Sequence, residues 1–464
     1  MPPGTEAQPL RVAIIGAGPS GFYAAEYLLS RPGVVAEVDL FDRLPTPYGL
    51  VRYGVAPDHQ KIKSVTAAYD KTAANPRFRF FGNVEFGRHV TTEDLAALYH
   101  QIVFTTGAQT DRRMGIPGED LGGSYPATDF VAWYNGHPDY THFQFDLQRE
   151  AAAVVGVGNV AVDVTRILLR TPEVLATTDI ADYALEALRE SQVREVHLLG
   201  RRGPAQAAFT NPEIRELGEL PAAAATALPE EVALDRLSQA ALDRTPDRTT
   251  MKKVEILQGF AARPPSGKPR KLVVRFLVSP TELAGANGHV ARLRLVRNAL
   301  QATPAGTLVA KPTDRFEDLA VGLVFRSVGY RGMPLPGVPF NQDWGVILNA
   351  KGRVLDPGTK EPLVGLYAAG WIKRGPTGVI GTNKPDAAET VDNMLADAAQ
   401  GKTFTPAAAA AAAAEASIRQ RQPLFISFAD WQRLNEIEVQ RGRAAGRPRV
   451  KFTRVPDMLA ALGR

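Results

Sequence analysis

The chain has 464 residues, which is longer than the roughly 100 to 200 residues of one ordinary domain, so two or three domains are expected. Its composition, 45% hydrophobic and 22% charged, is that of a globular protein and excludes a disordered or collagen-like chain. The formal net charge of +5 is a mild basic excess that suits an acidic partner or simple solubility.

The sequence contains no cysteine. A redox disulfide, a thiolate-bound iron–sulfur cluster and a cysteine-ligated zinc are therefore excluded, and we predict no metal centre. Electrons must pass between bound organic cofactors and something outside the chain. No run approaches the about 18 apolar residues of a membrane span, and the short polar N-terminus lacks a signal-peptide pattern. A cytoplasmic protein is expected.

The first predicted strand runs into a glycine-rich turn. Apolar residues 10–15 precede the sequence Gly-Ala-Gly-Pro-Ser-Gly at 16–21, a helical pattern at 22–29 and a second strand that ends at Asp42. This order predicts a βαβ unit with a dinucleotide pyrophosphate on the helix N-terminus. Asp42 suits a ribose and would repel a 2′-phosphate by about 4 kcal/mol at 4 Å before screening. The unit should hold FAD or NAD, although any tight strand-to-helix turn gives a similar pattern.

A second unit repeats this order with the opposite charge at its end. Its elements are a strand at 151–155, the turn Gly-Val-Gly-Asn-Val-Ala at 156–161, a helix at 162–169 and a strand at 195–199. Arg201 and Arg202 follow that strand, and their guanidinium forks suit a phosphate in two-point contact. The second unit is therefore predicted to hold NADP. Its long spacing requires an extra loop or helix at about 171–192.

A third glycine-rich segment lies near the C-terminus. A strand at 366–371 enters a turn that contains Gly378, and a helix is predicted at about 387–398. A helix N-terminus after such a turn can stabilise negative charge on a reduced flavin ring. An ordinary strand–turn–helix corner is the alternative.

Two strand-to-glycine exits, at 102–107 and 321–329, are interpreted as the places where the chain crosses between domains. The predicted fold is α/β, with two Rossmann-like dinucleotide-binding domains. Residues 1–107 and 333–464 form a discontinuous FAD-binding domain, and residues 108–332 form an NADP-binding domain inserted in it. Alternating residues at 280–315 predict an antiparallel ribbon, and the alanine run at 406–418 predicts a helix.

Several long motifs closely resemble adrenodoxin reductase and its bacterial ferredoxin-NADP reductase relatives. They are residues 48–59, the second glycine turn with Arg201 and Arg202, residues 209–213 and residues 371–383. The resemblance covers nearly the whole chain. It implies a monomeric flavoprotein of the glutathione-reductase structural class that passes electrons from NADPH through FAD to a small iron–sulfur protein.

The glycine turns and the resemblance together give a set of cofactor contacts. The FAD set is Gly16, Gly18, Ser20, Gly21, Asp42, Leu50, Phe86, Trp371, Gly378, Val379 and Ile380. The NADP set is Val157, Gly158, Asn159, Val160, Arg201, Arg202 and Glu213, with Gly378 near the nicotinamide. Asp42 stands where the family has Glu, and Phe86 replaces a smaller apolar residue and is expected to act through its backbone.

His59 and Glu213 match a histidine and a glutamate that the family places beside the flavin and the nicotinamide, so they are the candidate catalytic residues. Hydride transfer requires no general base. We therefore interpret both as positioning and electrostatic residues rather than as essential proton donors.

The basic charge and the resemblance predict docking of an acidic ferredoxin-like protein, with Arg236, Arg244 and Arg248 as candidate contacts. No nucleic-acid partner is expected. Two alternatives stay open. An FAD monooxygenase would use the same two nucleotides and a pocket for an organic substrate, and a non-catalytic flavoprotein would sense NADP by binding alone.

Overall fold

The computed structural model describes residues 3–406 and 411–464. The chain forms two compact units. Unit 1 consists of Met1–Thr110, Asn135–Thr141 and Tyr330–Arg464, and unit 2 consists of Asp111–Tyr134 and His142–Gly329.

The helices and strands of the described residues follow in chain order. The first part contains strands β1 (Leu10–Ile15), β2 (Ala36–Phe41), β3 (Phe78–Phe81), β4 (Gln101–Phe104), β5 (Thr110–Asp111) and β6 (Ser124–Pro126), and helices α1 (Pro19–Leu29), α2 (Leu50–Tyr53), α3 (Gln60–Lys63), α4 (Thr66–Ala73), α5 (Thr92–Ala96) and α6 (Ala127–Tyr134). The middle part contains strands β7 (Ala151–Val155), β8 (Glu195–Leu199), β9 (Ala223–Ala227), β10 (Arg270–Arg275), β11 (Val278–Ala286), β12 (His289–Ala302), β13 (Leu308–Leu319) and β14 (Leu323–Arg326), and helices α7 (Asn159–Leu169), α8 (Pro172–Leu175), α9 (Asp182–Arg189), α10 (Asn211–Gly218), α11 (Pro229–Val232), α12 (Arg236–Arg244) and α13 (Arg248–Ala261). The last part contains strands β15 (Tyr330–Arg331), β16 (Phe340–Asn341), β17 (Val346–Ile347), β18 (Asn349–Ala350), β19 (Arg353–Leu355) and β20 (Pro362–Ala368), and helices α14 (Trp371–Arg374), α15 (Asn383–Ala399), α16 (Ala411–Arg421), α17 (Phe428–Ala444) and α18 (Val455–Ala461). Short 3₁₀ helices cover Pro138–Tyr140, Pro204–Gln206 and Ile380–Thr382.

Unit 1 is built on a seven-stranded sheet in the order β18-β19-β20-β4-β1-β2-β3. The five strands from β20 to β3 are parallel, and β18 and β19 form antiparallel pairs at one edge. All six residues of β1 are buried, as expected for a central parallel strand. The strand order reverses at β1, and open α/β sheets bind ligands outside the carboxyl ends of the strands at such a point. The turn at 16–21 lies at this end of β1.

Unit 2 repeats the arrangement with six parallel strands in the order β6-β14-β7-β8-β10-β9. Here the order reverses at β7, which precedes the second glycine turn. Strands β11, β12 and β13 form a separate antiparallel sheet, the β-ribbon, over the region where a ribbon was predicted. Helices α8 and α9 occupy the spacing for which an extra loop or helix was expected.

Helices α1 and α7 each begin three residues before the predicted start. Gly18 and Gly158 are their N-caps, with extended backbone conformations, so each helix starts directly after the second glycine of its turn. Pro19 at the first helical position favours this start because its fixed φ angle already suits a helix. For the predicted alanine helix, residues 407–410 lie outside the described residues, and α16 covers Ala411–Arg421.

The predicted insert, residues 108–332, is interrupted in the structure, because Asn135–Thr141 belongs to unit 1. Lys451 donates a hydrogen bond to the carbonyl oxygen of Asn135 at 2.9 Å, and Arg43 forms an ion pair with Asp139. The ring of His137 lies 4.8 Å from that of Tyr53, and burial lowers the pKa of His137 to about 4. These contacts involve side chains far apart in the sequence, so periodicity gave no sign of them.

Within the described residues, none of the helices combines the length and the apolar character that crossing a membrane requires.

Candidate functional site

The first glycine turn leaves room for an anion at the start of α1. A Cβ atom on Gly16, whose φ is +114°, would lie 2.7 Å from the carbonyl oxygen of Thr105, so only glycine fits. A Cβ atom on Gly18 would meet nothing within 4 Å. The first amides of a helix have no carbonyl partner within that helix. Open space therefore adjoins the α1 amides, as a pyrophosphate requires.

Two segments that are distant in the sequence contact this turn. The amide of Tyr48 donates to the carbonyl oxygen of Ala17 at 2.8 Å. A Cβ atom on Gly49 would lie 3.0 Å from the Cα of Gly18, and one on Gly370 would lie 2.0 Å from the Oγ of Ser20. The segments that carry Leu50 and Trp371 therefore meet the segment that carries Gly18 and Ser20.

The side chain of Asp42 stabilises the same turn by hydrogen bonds. Its Oδ2 accepts a hydrogen bond from the amide of Ala17, and its Oδ1 accepts one from the amide of Leu44, both at 2.9 Å. Burial raises the pKa of the Asp42 carboxyl, and the two amide donors oppose that shift. A carboxylate offers about four acceptor positions, so these two hydrogen bonds leave about two positions for further donors. The carboxylate of Asp42 thus supports the backbone of the turn through two hydrogen bonds.

Phe86 lies close to the same strand ends, but its side chain is in the hydrophobic core of unit 1. Its ring packs edge-on against that of Phe104, with the ring centres 5.2 Å apart. Any contact of Phe86 with a ligand would therefore be made by its backbone.

Hydrogen bonds from its own side chains hold the conformation of the C-terminal glycine segment. The indole nitrogen of Trp371 donates to the carbonyl oxygen of Thr377 at 3.1 Å, and Arg374 donates to the same oxygen at 2.6 Å. A second Arg374 nitrogen donates to Oδ1 of Asn383 at 2.9 Å. Gly378 has a positive φ of +79° and, like Val379, is exposed at the surface of this turn, while Ile380 begins the following 3₁₀ helix.

Asp386 was absent from the predicted site. Its carboxylate accepts a hydrogen bond from the amide of Gly370 and forms an ion pair with buried Lys373 at 3.1 Å. It therefore fixes the backbone that leads into Trp371. The sequence did contain a signal for Asp386. It is an acidic residue in the first turn of the helix that follows the glycine segment, and acidic residues stabilise helix N-termini.

The second glycine turn has the same form. A Cβ atom on Gly156, whose φ is +129°, would lie 2.2 Å from the carbonyl oxygen of Ser327, whereas one on Gly158 would meet nothing within 4 Å. The carbonyl oxygen of Val157 accepts from the amide of Phe209 at 2.9 Å, and Oδ1 of Asn159 accepts from the amide of Thr210 at 2.9 Å. Open space again adjoins first-turn amides, here those of α7, which include the amide of Val160.

Arg201 and Arg202 lie beside this turn. A Cβ atom on Gly200, the residue before them, would lie 3.0 Å from Cγ1 of Val157. Arg201 is exposed and Arg202 is partly buried. Burial lowers the pKa of Arg202, and the like charge of Arg201 lowers it further. A doubly charged phosphate would relieve this repulsion, which suits the pair to a 2′-phosphate.

Glu213 is held in unit 2 by Arg166, which is fully buried. The Nη1 atom of Arg166 lies 3.3 Å from Oε2 of Glu213, and its Nη2 atom lies 2.7 Å from Oδ1 of Asp163. His59 is the N-cap of α3 in unit 1, where its amide donates to the carbonyl oxygen of Ala56 at 3.0 Å. The side chain of Glu213 is thus anchored within unit 2, and the backbone of His59 is fixed within unit 1.

Comparisons with known proteins identify the relatives of this chain. Residues 10–216 match the family model described as pyridine nucleotide-disulphide oxidoreductase. The chain is 45% identical to the NADPH-ferredoxin reductase FprA of Mycobacterium tuberculosis, over 97% of this chain and 99% of the relative. It is 39% identical to the mitochondrial NADPH:adrenodoxin oxidoreductase of Arabidopsis thaliana, over 98% and 96% of the two chains.

The fold agrees with a solved structure of one of these relatives. The structure of Mycobacterium tuberculosis FprA in complex with NADPH has a TM-score of 0.92 at 45% identity, and the match covers 98% of this chain and 100% of that one. The predicted α/β fold class is confirmed.

Proposed function

Because the chain belongs to the family of the NADPH-ferredoxin reductases and NADPH:adrenodoxin oxidoreductases, we propose that it passes electrons from NADPH through FAD to a small iron–sulfur protein. The observation that carries the proposal is the pair of glycine turns. Each lies where the order of the parallel strands in its sheet reverses, one beside Asp42 and the other beside Arg201 and Arg202.

In this proposal unit 1 holds FAD. The amides at the start of α1 bind the pyrophosphate beside Gly18, and Asp42 accepts hydrogen bonds from the ribose. Asp386 fixes the backbone before Trp371 through the amide of Gly370. When bound, FAD would supply two-electron chemistry with NADPH and one-electron chemistry with the iron–sulfur partner.

Unit 2 holds NADP in the same proposal. The amides at the start of α7 bind the pyrophosphate, and Arg201 and Arg202 bind the 2′-phosphate that distinguishes NADPH from NADH. Glu213, anchored by Arg166, and His59 position the reacting rings without carrying a proton through the reaction. We further propose that the protein acts as a monomer, because the residues of both glycine turns come from a single chain.

The proposed partner is an acidic ferredoxin-like protein that docks on unit 2 around Arg236, Arg244 and Arg248. All three side chains are exposed, on α12 and at the first residue of α13. The same segment carries Asp235 and Asp247, but both carboxylates accept hydrogen bonds from helix N-terminal amides. Asp243 of α12 is exposed as well, and its Oδ1 accepts a hydrogen bond from Nε2 of Gln239. The three arginines supply the positive charge that an acidic partner would contact.

The test is anaerobic mixing of the FAD-loaded protein with NADPH, followed by addition of an acidic ferredoxin and cytochrome c. We expect NADPH to bleach the flavin and the cytochrome to be reduced only when ferredoxin is present. A flavin that NADPH does not bleach would indicate a sensor. A bleached flavin that reoxidises only with oxygen and an organic substrate would indicate a monooxygenase.

A further inference from the structure

The turn that carries Arg201 and Arg202 is fixed by backbone hydrogen bonds to strands β10 and β11 and the connection between them. The amide of Gly200 donates to the carbonyl oxygen of Arg275 at 2.9 Å. The amide of Leu277 donates to the carbonyl oxygen of Arg202 at 3.1 Å. These bonds hold the two ends of the turn and leave the carbonyl group of Arg201 between them.

That carbonyl group is held by the side chain of Asn298 in β12. The Nδ2 atom of Asn298 donates to the carbonyl oxygen of Arg201 at 2.9 Å and to Oγ of Ser279 at 2.8 Å. The amide of Asn298 donates to the carbonyl oxygen of Leu277 at 2.7 Å. Asn298 is only 8% exposed, so water replaces these bonds poorly when the side chain is removed.

The position of Asn298 in the β-ribbon is irregular. Val296 pairs with Phe316 of β13, whereas Asn298 pairs with Pro312, so the register shifts between the two residues. Asparagine is disfavoured in strands, where it packs poorly on a pleated surface. Here its side chain bonds both to Ser279 within the β-ribbon and to Arg201 outside it.

We propose that Asn298 is a positioning residue for coenzyme selectivity. Its bond to the Arg201 carbonyl oxygen fixes the peptide between Arg201 and Arg202 and so places both guanidinium groups for the 2′-phosphate. A two-point contact between a guanidinium group and a phosphate tolerates displacements of only about 0.5 Å. The inference rests on the proposed function, in which these two arginines bind that phosphate.

The test compares NADPH with NADH, which lacks the 2′-phosphate and serves as an internal control. In Asn298→Leu the side chain keeps nearly the same branched shape but donates no hydrogen bond. We expect kcat/KM for NADPH with ferricyanide to fall about three- to tenfold, mainly through KM, the range that one lost hydrogen bond gives. The value for NADH should stay unchanged. Asn298→Ala provides the same comparison if the leucine variant does not fold.

Two further variants distinguish a failure of the inference on Asn298 from a failure of the 2′-phosphate assignment. Ser279→Ala removes the other partner of the same Nδ2 atom and leaves the bond to Arg201, so it should keep the wild-type preference for NADPH. Arg201→Ala/Arg202→Ala should lose most of that preference. If that double variant loses the preference and the Asn298 variants keep it, or lose activity equally with both coenzymes, the inference on Asn298 is wrong. If the double variant keeps the preference, the 2′-phosphate assignment itself fails, and the inference fails with it.

Discussion

Glu213 is a candidate catalytic residue whose side chain is tied to the core of unit 2 through the buried side chain of Arg166. Its carboxylate is paired with Arg166, whose guanidinium is fully buried and also paired with Asp163. Removing Glu213 would leave Arg166 with one of its acidic partners gone. A glutamine at position 213 keeps the size of the side chain and removes only its charge, so it is the more informative substitution.

We expect Glu213→Gln and His59→Ala to slow flavin reduction by NADPH by up to about 100-fold, because a small misplacement of reacting groups has effects of that size. Stopped-flow mixing measures this rate. In both variants FAD should stay bound, and dithionite should still reduce it. A folded, FAD-loaded variant that dithionite cannot reduce would contradict a positioning role.

At the scale of elements, α17 holds α2, the short helix that begins at Leu50. Arg52 of α2 forms two hydrogen bonds with Glu438 of α17, one of them at 2.9 Å, and the two side chains are 4% and 0% exposed. Burial disfavours the charge on Arg52, but Glu438 and Tyr53 together more than offset this and raise the pKa of Arg52 above its usual value. The Trp431 ring lies 5.0 Å from the guanidinium carbon. This buried pair links the C-terminal helix α17 to the short helix α2 beside the first glycine turn.

Breaking that pair should destabilise unit 1. Glu438→Gln leaves the buried guanidinium of Arg52 without its counter-charge, which costs about 3 to 5 kcal/mol for such pairs. Urea unfolding of the FAD-loaded protein measures the loss, and FAD release should begin at a lower urea concentration. The matched control is Glu255→Gln, in an exposed pair with Lys252, where a change of less than about 1 kcal/mol is expected. Similar losses in both variants would contradict the importance of burial.

For the whole molecule, the net charge of +5 bears on how an acidic partner approaches. The screening length falls from about 10 Å at 0.1 M salt to about 3 Å at 1 M salt. Steered association should therefore weaken by about tenfold or more across this range, while reduction of a small neutral acceptor should change little. Steady-state assays with ferredoxin and with a neutral quinone make this comparison.

Two matched triple variants then test which basic residues cause the salt dependence of the ferredoxin reaction. Changing Arg236, Arg244 and Arg248 to Ala should flatten the salt dependence of the ferredoxin reaction. Changing Arg88, Arg433 and Arg454 to Ala removes the same net charge from unit 1, where the side chains are at least 63% exposed. An equal effect of the two triple variants would show that only overall charge matters.

The sequence alone was sufficient to predict both βαβ units and the ends of their strands. Gly16 and Gly156 are required by the turns in which they lie, because a side chain there would collide with a neighbouring backbone. Asp42 directly follows β2, and Arg201 is separated from β8 by Gly200 alone, so their places at the strand ends follow from local order. Such features depend on the conformation of a few successive residues, which composition and periodicity report.

Contacts between distant segments were decided only by the tertiary structure. Arg52 and Glu438 are 386 residues apart, and Asn298 reaches Arg201 across 97 residues. The approach of Gly370 to Ser20 and the return of Asn135–Thr141 to unit 1 are of the same kind. Periodicity reveals whether a residue is buried, but its partner depends on the path of the whole chain. The sequence therefore determined which groups could bind two nucleotides, and the fold determined what holds those groups in place.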